Sequence, residues 1–465
     1  MPLASDVAGP DFSPSVRLGY PRSISKSSMG SSHSSVHRSS GRSATSSTAS
    51  WSSASPSSSK ENLSVDYVVE GVPHVAGHLD PRQYKTPRFV EQLLEITHAL
   101  SIPAWTRDVM PASSMRIQKV SGALTNAVFF VSSLTTPART LLLRVYGPSS
   151  SALIARPREL HILHVLSSTY HMGPRVYGTF DNGRIEEYFD SETLTGSAIR
   201  DPLTSSYIGA RMAELHGADV DALEPEPLLR GLPRIAVETN VRSWLVPARS
   251  VLELPAVPES VRAEFDLDAF QRRWEHYLGW LKSTAASGAL DNVFCHNDAQ
   301  YGNLLRLKKM KSGRPEHHQI IVVDFEYAAP NPGAYDIANH FHEWTANYHG
   351  ATPHLLDIER YPSPGEQDNF LTAYLSYRNV PLPSGRMVPY DALSKSDQLD
   401  ELATLRRQVR LWSPASHAMW TIWGLVQARD DVERRTVNPE FDYIAYARGR
   451  LQRFHAELDE LSLGL

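Results

Sequence analysis

The sequence predicts an α+β fold of two lobes, a small β-rich N-lobe followed by a large helical C-lobe, behind a disordered N-terminal tail. Three observations carry this. Residues 1–62 are more than a third serine and poor in large apolar side chains. Short runs of β-formers crowd the stretch 127–189. Beyond residue 190 apolar residues recur at helical spacing, interrupted by one compact β segment. At 465 residues the chain is long enough to bury a sizeable core in more than one lobe.

The tail comes first. Runs such as Ser31-Ser32-His33-Ser34-Ser35 and Ser57-Ser58-Ser59 have too little to bury to offset their ordering entropy. Ser25, three residues after Arg22, is a candidate regulatory phosphorylation site; an inert solvated tail fits the composition equally well. Deleting residues 1–60 is expected to leave melting temperature and activity nearly unchanged. An insoluble or inactive truncated protein would show that the tail is structural.

Folded sequence begins near Val65. Thr86 and Pro87 read as the N-cap and first residue of a helix. Phe89, Val90, Leu93, Leu94, Ile96 and Leu100 keep its period, and Pro103 ends it. Ala127–Val131 and Thr140–Val145 read as strands joined by a hairpin, followed by a helix around 157–167. Arg175–Phe180 and Arg184–Phe189 are a second strand pair, and the Asn182-Gly183 between them is a strong hairpin signal. Helices are expected over 205–216 and 267–283, strands over 303–307 and 320–325 around a basic loop, and long helices from Pro364 onward. The chain thus divides into 1–62, 63–190 and 191–465. A ligand is expected in the cleft between the lobes.

Composition narrows the function. A net charge of −5 offers no basic face for nucleic acid. No apolar run approaches the ~20 residues of a membrane-spanning helix, and the N-terminus lacks the apolar core of a secretory signal. Cys295 is the one cysteine, so no intrachain disulfide forms; a reducing, cytoplasmic setting suits that. No His/Cys group has the spacing of a structural zinc site.

The chemistry concentrates in His296-Asn297-Asp298-Ala299-Gln300-Tyr301-Gly302-Asn303 and in Ile321-Val322-Val323-Asp324-Phe325-Glu326. An Asp, an Asn five positions on, and a second Asp ending an apolar strand form a layout for phosphoryl transfer. That reaction needs positioning, metal and charge neutralisation more than covalent help. Asp298 would orient the attacking hydroxyl and accept its proton late. Asn303 and Asp324 would hold Mg2+ against the phosphates of ATP. A polar turn would explain a lone His-x-Asp, but not the full set. Arg144 lies inside the apolar run Leu141-Leu142-Leu143-Arg144-Val145, where a cation needs a partner.

These motifs, with Tyr327, Asn331, Asp336-Ile337-Ala338-Asn339-His340-Phe341 and Glu343-Trp344, resemble those of the choline/ethanolamine kinase family. The resemblance runs from about residue 65 to the C-terminus, and Ile102-Pro103-Ala104-Trp105 is similar to the fungal branch. It implies a protein-kinase-like two-lobed fold, shared with aminoglycoside phosphotransferases. It also implies ATP-dependent phosphorylation of choline as the first step of phosphatidylcholine synthesis, and a homodimer. Ser121, Gly122 and Asn126 would belong to the nucleotide loop, with Ala123 in place of a glycine. Arg144 would bind phosphate and pair with Glu159. Glu187 and Phe189 would form the adenine hinge. Gln300 would join Asp298 as a catalytic residue and, by its identity, resembles the choline branch. Tyr327, Glu343, Tyr348, Trp420, Trp423, Tyr443 and Tyr446 would enclose the quaternary ammonium by cation–π and charge attraction. Trp344 is left out of that set. His296, Asn297, Asp336 and His216 read as scaffolding. The rivals are an ethanolamine kinase, a choline-binding pseudokinase, and an aminoglycoside phosphotransferase, which would need an acidic rather than aromatic acceptor site.

Overall fold

The structure, a computed structural model, describes residues 69–461 apart from 106–109, 123–125, 136–137, 147–155, 225–234, 285–289 and 382–385. The side chains of residues 121, 122, 126, 156 and 381 are also outside the description. The serine-rich tail and the tip of the expected nucleotide loop therefore lie beyond it.

The N-lobe is built on a six-stranded sheet. Its strands are β1 (His74–Val75), β2 (Met115–Gly122), β3 (Asn126–Ser133), β4 (Leu141–Tyr146), β5 (Val176–Phe180) and β6 (Gly183–Glu187), in the order β1-β5-β6-β4-β3-β2. Pairing is antiparallel except between β1 and β5. Helix α1 (Pro87–Ala99) starts as expected, with Thr86 Oγ1 accepting from the Phe89 amide. It lays Phe89, Leu93, Leu94 and Ile96 against Leu141, Leu143, Val145 and Ile185 of the sheet. A strand's side chains alternate between faces. The even residues Arg144, Arg184 and Glu186 therefore face the opposite side, toward α2 (Arg156–Thr169) and the interlobe cleft.

Residues 188–190 lead from β6 to β7 (Ser191–Thr193), which already belongs to the C-lobe: it pairs with a strand more than a hundred residues later. Helices α3 (Pro202–His216), α4 (Val220–Leu223), α5 (Ala236–Leu252), α6 (Glu259–Glu264) and α7 (Leu267–Thr284) follow. Next come β8 (Asn292–Cys295), β9 (Leu304–Leu307), β10 (Ile320–Val322) and β11 (Ala329–Pro332). The sheet β10-β9-β7 and the ladder β11-β8 frame the expected catalytic loop. The rest is α8 (Gly333–Glu343), α9 (Pro364–Ser376), a small hairpin of β12 (Asn379–Pro381) and β13 (Met387–Pro389), then α10 (Lys395–Gln427), α11 (Arg429–Arg434) and α12 (Tyr443–Glu460). Helix α10 runs for 33 residues and contains Pro414; α5 contains Pro247. A large core, including Trp274, Tyr277, Trp412 and Phe454, holds the helical lobe together. Among the described residues no helix is long and apolar enough to cross a membrane.

Candidate active site

The loop between β8 and β9 is fixed by one buried carboxylate. Asp336, near the start of α8, accepts from the His296 amide at 2.9 Å, the Asn297 amide at 2.8 Å and His216 Nε2 at 3.1 Å. Burial opposes the Asp336 charge, but the His216 hydrogen bond and neighbouring histidines hold its pKa below the ordinary value. His216 is itself held by the Tyr374 hydroxyl at 2.9 Å. Asn297 sits at φ 63°, a left-handed conformation that Asn tolerates better than most residues. Its side-chain amide donates to the Tyr327 and Ala329 carbonyls, and its Oδ1 accepts from Asn331. His296 Nε2 meets the Val323 carbonyl at 3.0 Å. The four residues read as scaffolding thus tie the loop to the strand end that carries Asp324.

Asp298 and Asn303 come together inside this frame. Asn303 Nδ2 donates to the Asp298 carboxylate at 3.0 Å and to its carbonyl at 2.9 Å. Register then delivers Asp324. Leu304 faces Val322 across β9 and β10, and the Val323 amide donates to the Asn303 carbonyl at 3.0 Å, so Asp324 leaves the ladder beside Asn303. Gln300, expected beside Asp298 as a catalytic residue, lies buried in the turn. Its Oε1 accepts from the Gly302 amide at 2.9 Å and its Nε2 reaches Asn303 Oδ1 at 3.4 Å. It is placed as a residue that positions Asn303.

Asp324 has φ 67°, a strained conformation for a non-glycine residue and one that clusters at functional sites. Burial pushes its carboxyl pKa up, with Arg144 pulling it back. Glu326 is pushed well above its ordinary value by burial and then by the Asp324 charge. A buried carboxylate whose charge reaches a neighbouring acid is a hard-oxygen donor that Mg2+ suits.

The N-lobe side departs from expectation. Strand pairing sets Arg144 directly opposite Arg184, a repulsive arrangement unless acids intervene. Glu159 of α2 pairs with Arg184 at 2.8 Å, and Glu186 pairs with Arg184 as well. The carboxylate within 4.0 Å of Arg144 is that of Glu186, at 3.8 Å. The expected Arg144–Glu159 pair is therefore replaced by a relay through Arg184, a residue the sequence did not single out. Burial and Arg184 both oppose the Arg144 charge, yet Glu186, Asp324 and Glu159 hold its pKa raised. Arg144 Nε is buried without a hydrogen-bond partner. An orphaned guanidinium N–H on the cleft face fits a phosphate oxygen.

At the expected hinge, the Glu187 amide donates to the Arg175 carbonyl and the Phe189 carbonyl accepts from Ser191 Oγ. The Glu187 side chain lines a cavity of about 450 Å³ with Arg139, Tyr177 and Tyr188. By strand alternation the Glu187 side chain falls on the face of Ile185, away from that of Arg184 and Glu186. Ser121, Gly122 and Asn126 end β2 and begin β3; their side chains and the loop tip are outside the described residues.

The aromatic residues expected as a cage converge. Trp420 and Trp423 of α10 meet edge to face at 5.1 Å. Tyr327 packs on Trp420 at 5.7 Å, and its hydroxyl accepts from Trp423 Nε1 at 2.9 Å. Tyr443 and Tyr446, one turn apart on α12, lie 5.7 and 5.9 Å from Trp423. Glu343 is buried, and accepts from the Tyr348 hydroxyl at 2.7 Å and from Arg450 at 3.3 Å. Arg450 also donates to the Tyr446 hydroxyl at 3.1 Å. Sequence reasoning missed Arg450 and Trp244, whose ring stands 6.5 Å from Tyr327. Trp344 lies in the core, bonded to His340 and under Arg200.

The cage and the catalytic loop are mechanically joined. Asn339 accepts from Trp420 Nε1 at 2.7 Å and donates to the Asn297 carbonyl at 3.1 Å. Tyr301 of the loop accepts from the Tyr348 amide at 2.8 Å. Asp298 therefore follows directly on Asn297, which Asn339 ties to Trp420, and is itself hydrogen-bonded to Asn303 beside the Asp324 strand end.

Comparison with known proteins agrees with this geometry. Residues 117–455 match the family model described as choline/ethanolamine kinase. A choline kinase of Schizosaccharomyces pombe is 34% identical over 419 residues, covering 81% of this chain and 90% of its own. An ethanolamine kinase of Saccharomyces cerevisiae is 28% identical, covering 76% of this chain and 67% of its own. The crystal structure of a choline kinase from Cryptosporidium parvum superposes with a TM-score of 0.61 at 22% identity, covering 80% of this chain and 96% of that one. With a two-lobed fold, an Asp298–Asn303–Asp324 loop and a family match across most of its length, the chain belongs to the choline/ethanolamine kinase family.

Proposed function

We propose that this chain transfers the γ-phosphoryl group of ATP to the hydroxyl of choline, giving phosphocholine and ADP. One observation carries the reading: the loop holding Asp298 is tied on one side, through Asn303, to the strand end of Asp324 and on the other, through Asn339, to a group of aromatic rings fit for a quaternary ammonium. Asp298 orients the hydroxyl and takes its proton as the bond to phosphorus forms. Asn303 and Asp324 would hold Mg2+, which when bound neutralises charge on the phosphates. Arg144 supplies N–H donors to the phosphate oxygens, and the Glu159–Arg184–Glu186 relay keeps it in place. The hinge segment 187–189 would take the purine. Tyr327, Trp420, Trp423, Tyr443 and Tyr446 hold the trimethylammonium, with Glu343 and Tyr348 completing the charge balance. A homodimer and a cytoplasmic setting go with this reading; light scattering tests the first.

Choline is expected to be preferred over ethanolamine. The ring faces offer no acceptors for the three N–H donors of a primary ammonium, and Glu343 is already engaged by Tyr348 and Arg450; an unpaired donor costs roughly 1–3 kcal/mol. That is about 10- to 100-fold in kcat/KM at the middle of the range. Trp423→Ala should raise KM for choline more than for ethanolamine, with kcat less affected. Equal kcat/KM for the two amines in the wild type, or a higher value for ethanolamine, would make the protein an ethanolamine kinase.

A further inference from the structure

Among the described residues, three groups of His, Cys and carboxylate side chains lie close enough to share an ion. Two of them are already satisfied. In the first, His216, Cys295 and Asp336 are bound into the scaffold of the catalytic loop. In the second, His317 Nε2 and His318 Nε2 both meet Glu214 Oε1, at 2.7 and 3.1 Å.

The third differs. His342 of α8, His417 of α10 and Glu457 of α12 each offer a ligand atom within 4.8 Å of the others. His342 Nδ1, His417 Nε2 and Glu457 Oε2 are all buried without a hydrogen-bond partner. Both histidines are 1% exposed, and their rings stand 4.0 Å apart. Buried polar atoms are normally paired, and an orphan calls for an explanation such as an ion or an ordered water. Three orphans within one such cluster call for a shared explanation.

We propose that His342, His417 and Glu457 form a site for a zinc-class divalent cation. Two imidazole nitrogens and a carboxylate oxygen are a common zinc donor set, leaving a fourth position for water. The far nitrogen of His342 meets Ser413 Oγ at 2.9 Å; donation there leaves the Nδ1 lone pair for the ion, the usual arrangement behind a metal-bound histidine. His417 Nε2 already lies 3.3 Å from Glu457 Oε1. Metal on Nε2 puts the ring proton on His417 Nδ1, so the 3.4 Å contact from Arg450 is the one the ion would loosen. Arg450 is balanced by Glu343, and Arg453 by Glu457 and Glu460. Burial and then both guanidiniums favour the neutral, ligating form of His417. The Glu457 side chain, 11% exposed, offers an entry from solvent. The same three helices carry Glu343, Trp420, Trp423, Tyr443 and Tyr446, so the ion would brace the aromatic pocket from behind.

The test is a titration of chelator-stripped full-length protein with Zn2+ by calorimetry and thermal melting. Co2+ is the spectroscopic probe of a low-coordinate site. One tight equivalent, a raised Tm and a visible Co2+ band are expected. Glu457→Gln, partly exposed and so the least disturbing ligand change, should weaken Zn2+ binding at least ~10-fold, the lower range even for an outer partner of a metal ligand. His417→Gln should do the same, while His318→Gln in the second group should leave binding intact. Absence of a Zn2+-dependent shift in the wild type would overturn the site and leave a bridging water as the occupant. So would wild-type affinity in Glu457→Gln, or loss of binding in His318→Gln.

Discussion

Asp324→Asn is expected to reduce turnover below detection while leaving the melting temperature equal to or above that of the wild type. Both halves follow from the same physics. Burial raises the Asp324 pKa, which means that the folded protein holds this ionised carboxylate at a disadvantage relative to the unfolded chain. Its unfavourable contribution is present at neutral pH and fades as pH falls and the group protonates. Asn has nearly the same shape, tolerates the φ of 67°, and removes the charge. Stability is thus retained or gained as the proposed metal ligand loses its charge, the trade common at active sites. Asp298→Ala is the companion experiment, with kcat expected to fall at least ~10²-fold, the lower range for a positioned acid–base group. Asp298 accepts a hydrogen bond from Asn303, so some loss of stability accompanies it. Steady-state kinetics and melting on the same preparations check both variants; near-normal turnover in either, in protein free of wild type, would remove that residue from the mechanism.

The legible parts of the fold were those whose signals are local. Thr86-Pro87 marks the start of α1 because a cap and a missing amide act within one turn. Asn182-Gly183 marks the β5–β6 hairpin, but the two-residue turn is Asp181-Asn182, and Gly183 is needed because a Cβ there would meet the Phe180 ring and the Arg144 carbonyl. The loop 296–303 and Asp324 were legible as a spacing, and β9–β10 pairing closes that spacing in space. What stayed hidden depends on partners distant in sequence. Nothing near Arg144 indicates that β6 pairs with β4 in the register that sets Arg184 against it, so the closest acid could not be read from the sequence. Helix α5 was not expected; it contains Pro247, a residue that usually breaks a helix. Arg450 was not singled out, since its partner Glu343 lies 107 positions earlier. His342 and His417 lie 75 positions apart, too far for any ligand spacing to register. Gln300 shows the opposite limit: family resemblance marks the position, whereas its hydrogen bonds to Gly302 and Asn303 show what the side chain holds.

Arg450→Met is expected to destabilise the protein by about 3–5 kcal/mol, because it leaves Glu343 as an uncompensated charge in the interior. Both side chains are fully enclosed, Arg450 at 0% and Glu343 at 1% exposure. Burial already lifts the Glu343 pKa, and Arg450 and Tyr348 are what pull it back. With Arg450 gone, the carboxyl must take up a proton or draw in water. A loss of that size leaves a folded but weakened protein if its stability lies in the upper part of the usual range, about 5–15 kcal/mol. The double variant Arg450→Met/Glu343→Gln should recover most of the loss, since removing both charges of a buried pair is often neutral. Function separates the two variants further. Arg450 holds the Tyr446 hydroxyl and stands 5.2 Å from its ring, and Glu343 holds Tyr348. A buried cation beside a pocket for a quaternary ammonium is tolerable only while Glu343 offsets it. The double variant should therefore regain stability but keep a raised KM for choline, with kcat changed less than KM. Urea unfolding and choline kinetics on the wild type, both single variants and the double variant make the comparison. A single Arg450→Met variant as stable as the wild type, or a double variant with wild-type KM, would show that this pair neither supports the helical lobe nor shapes the pocket.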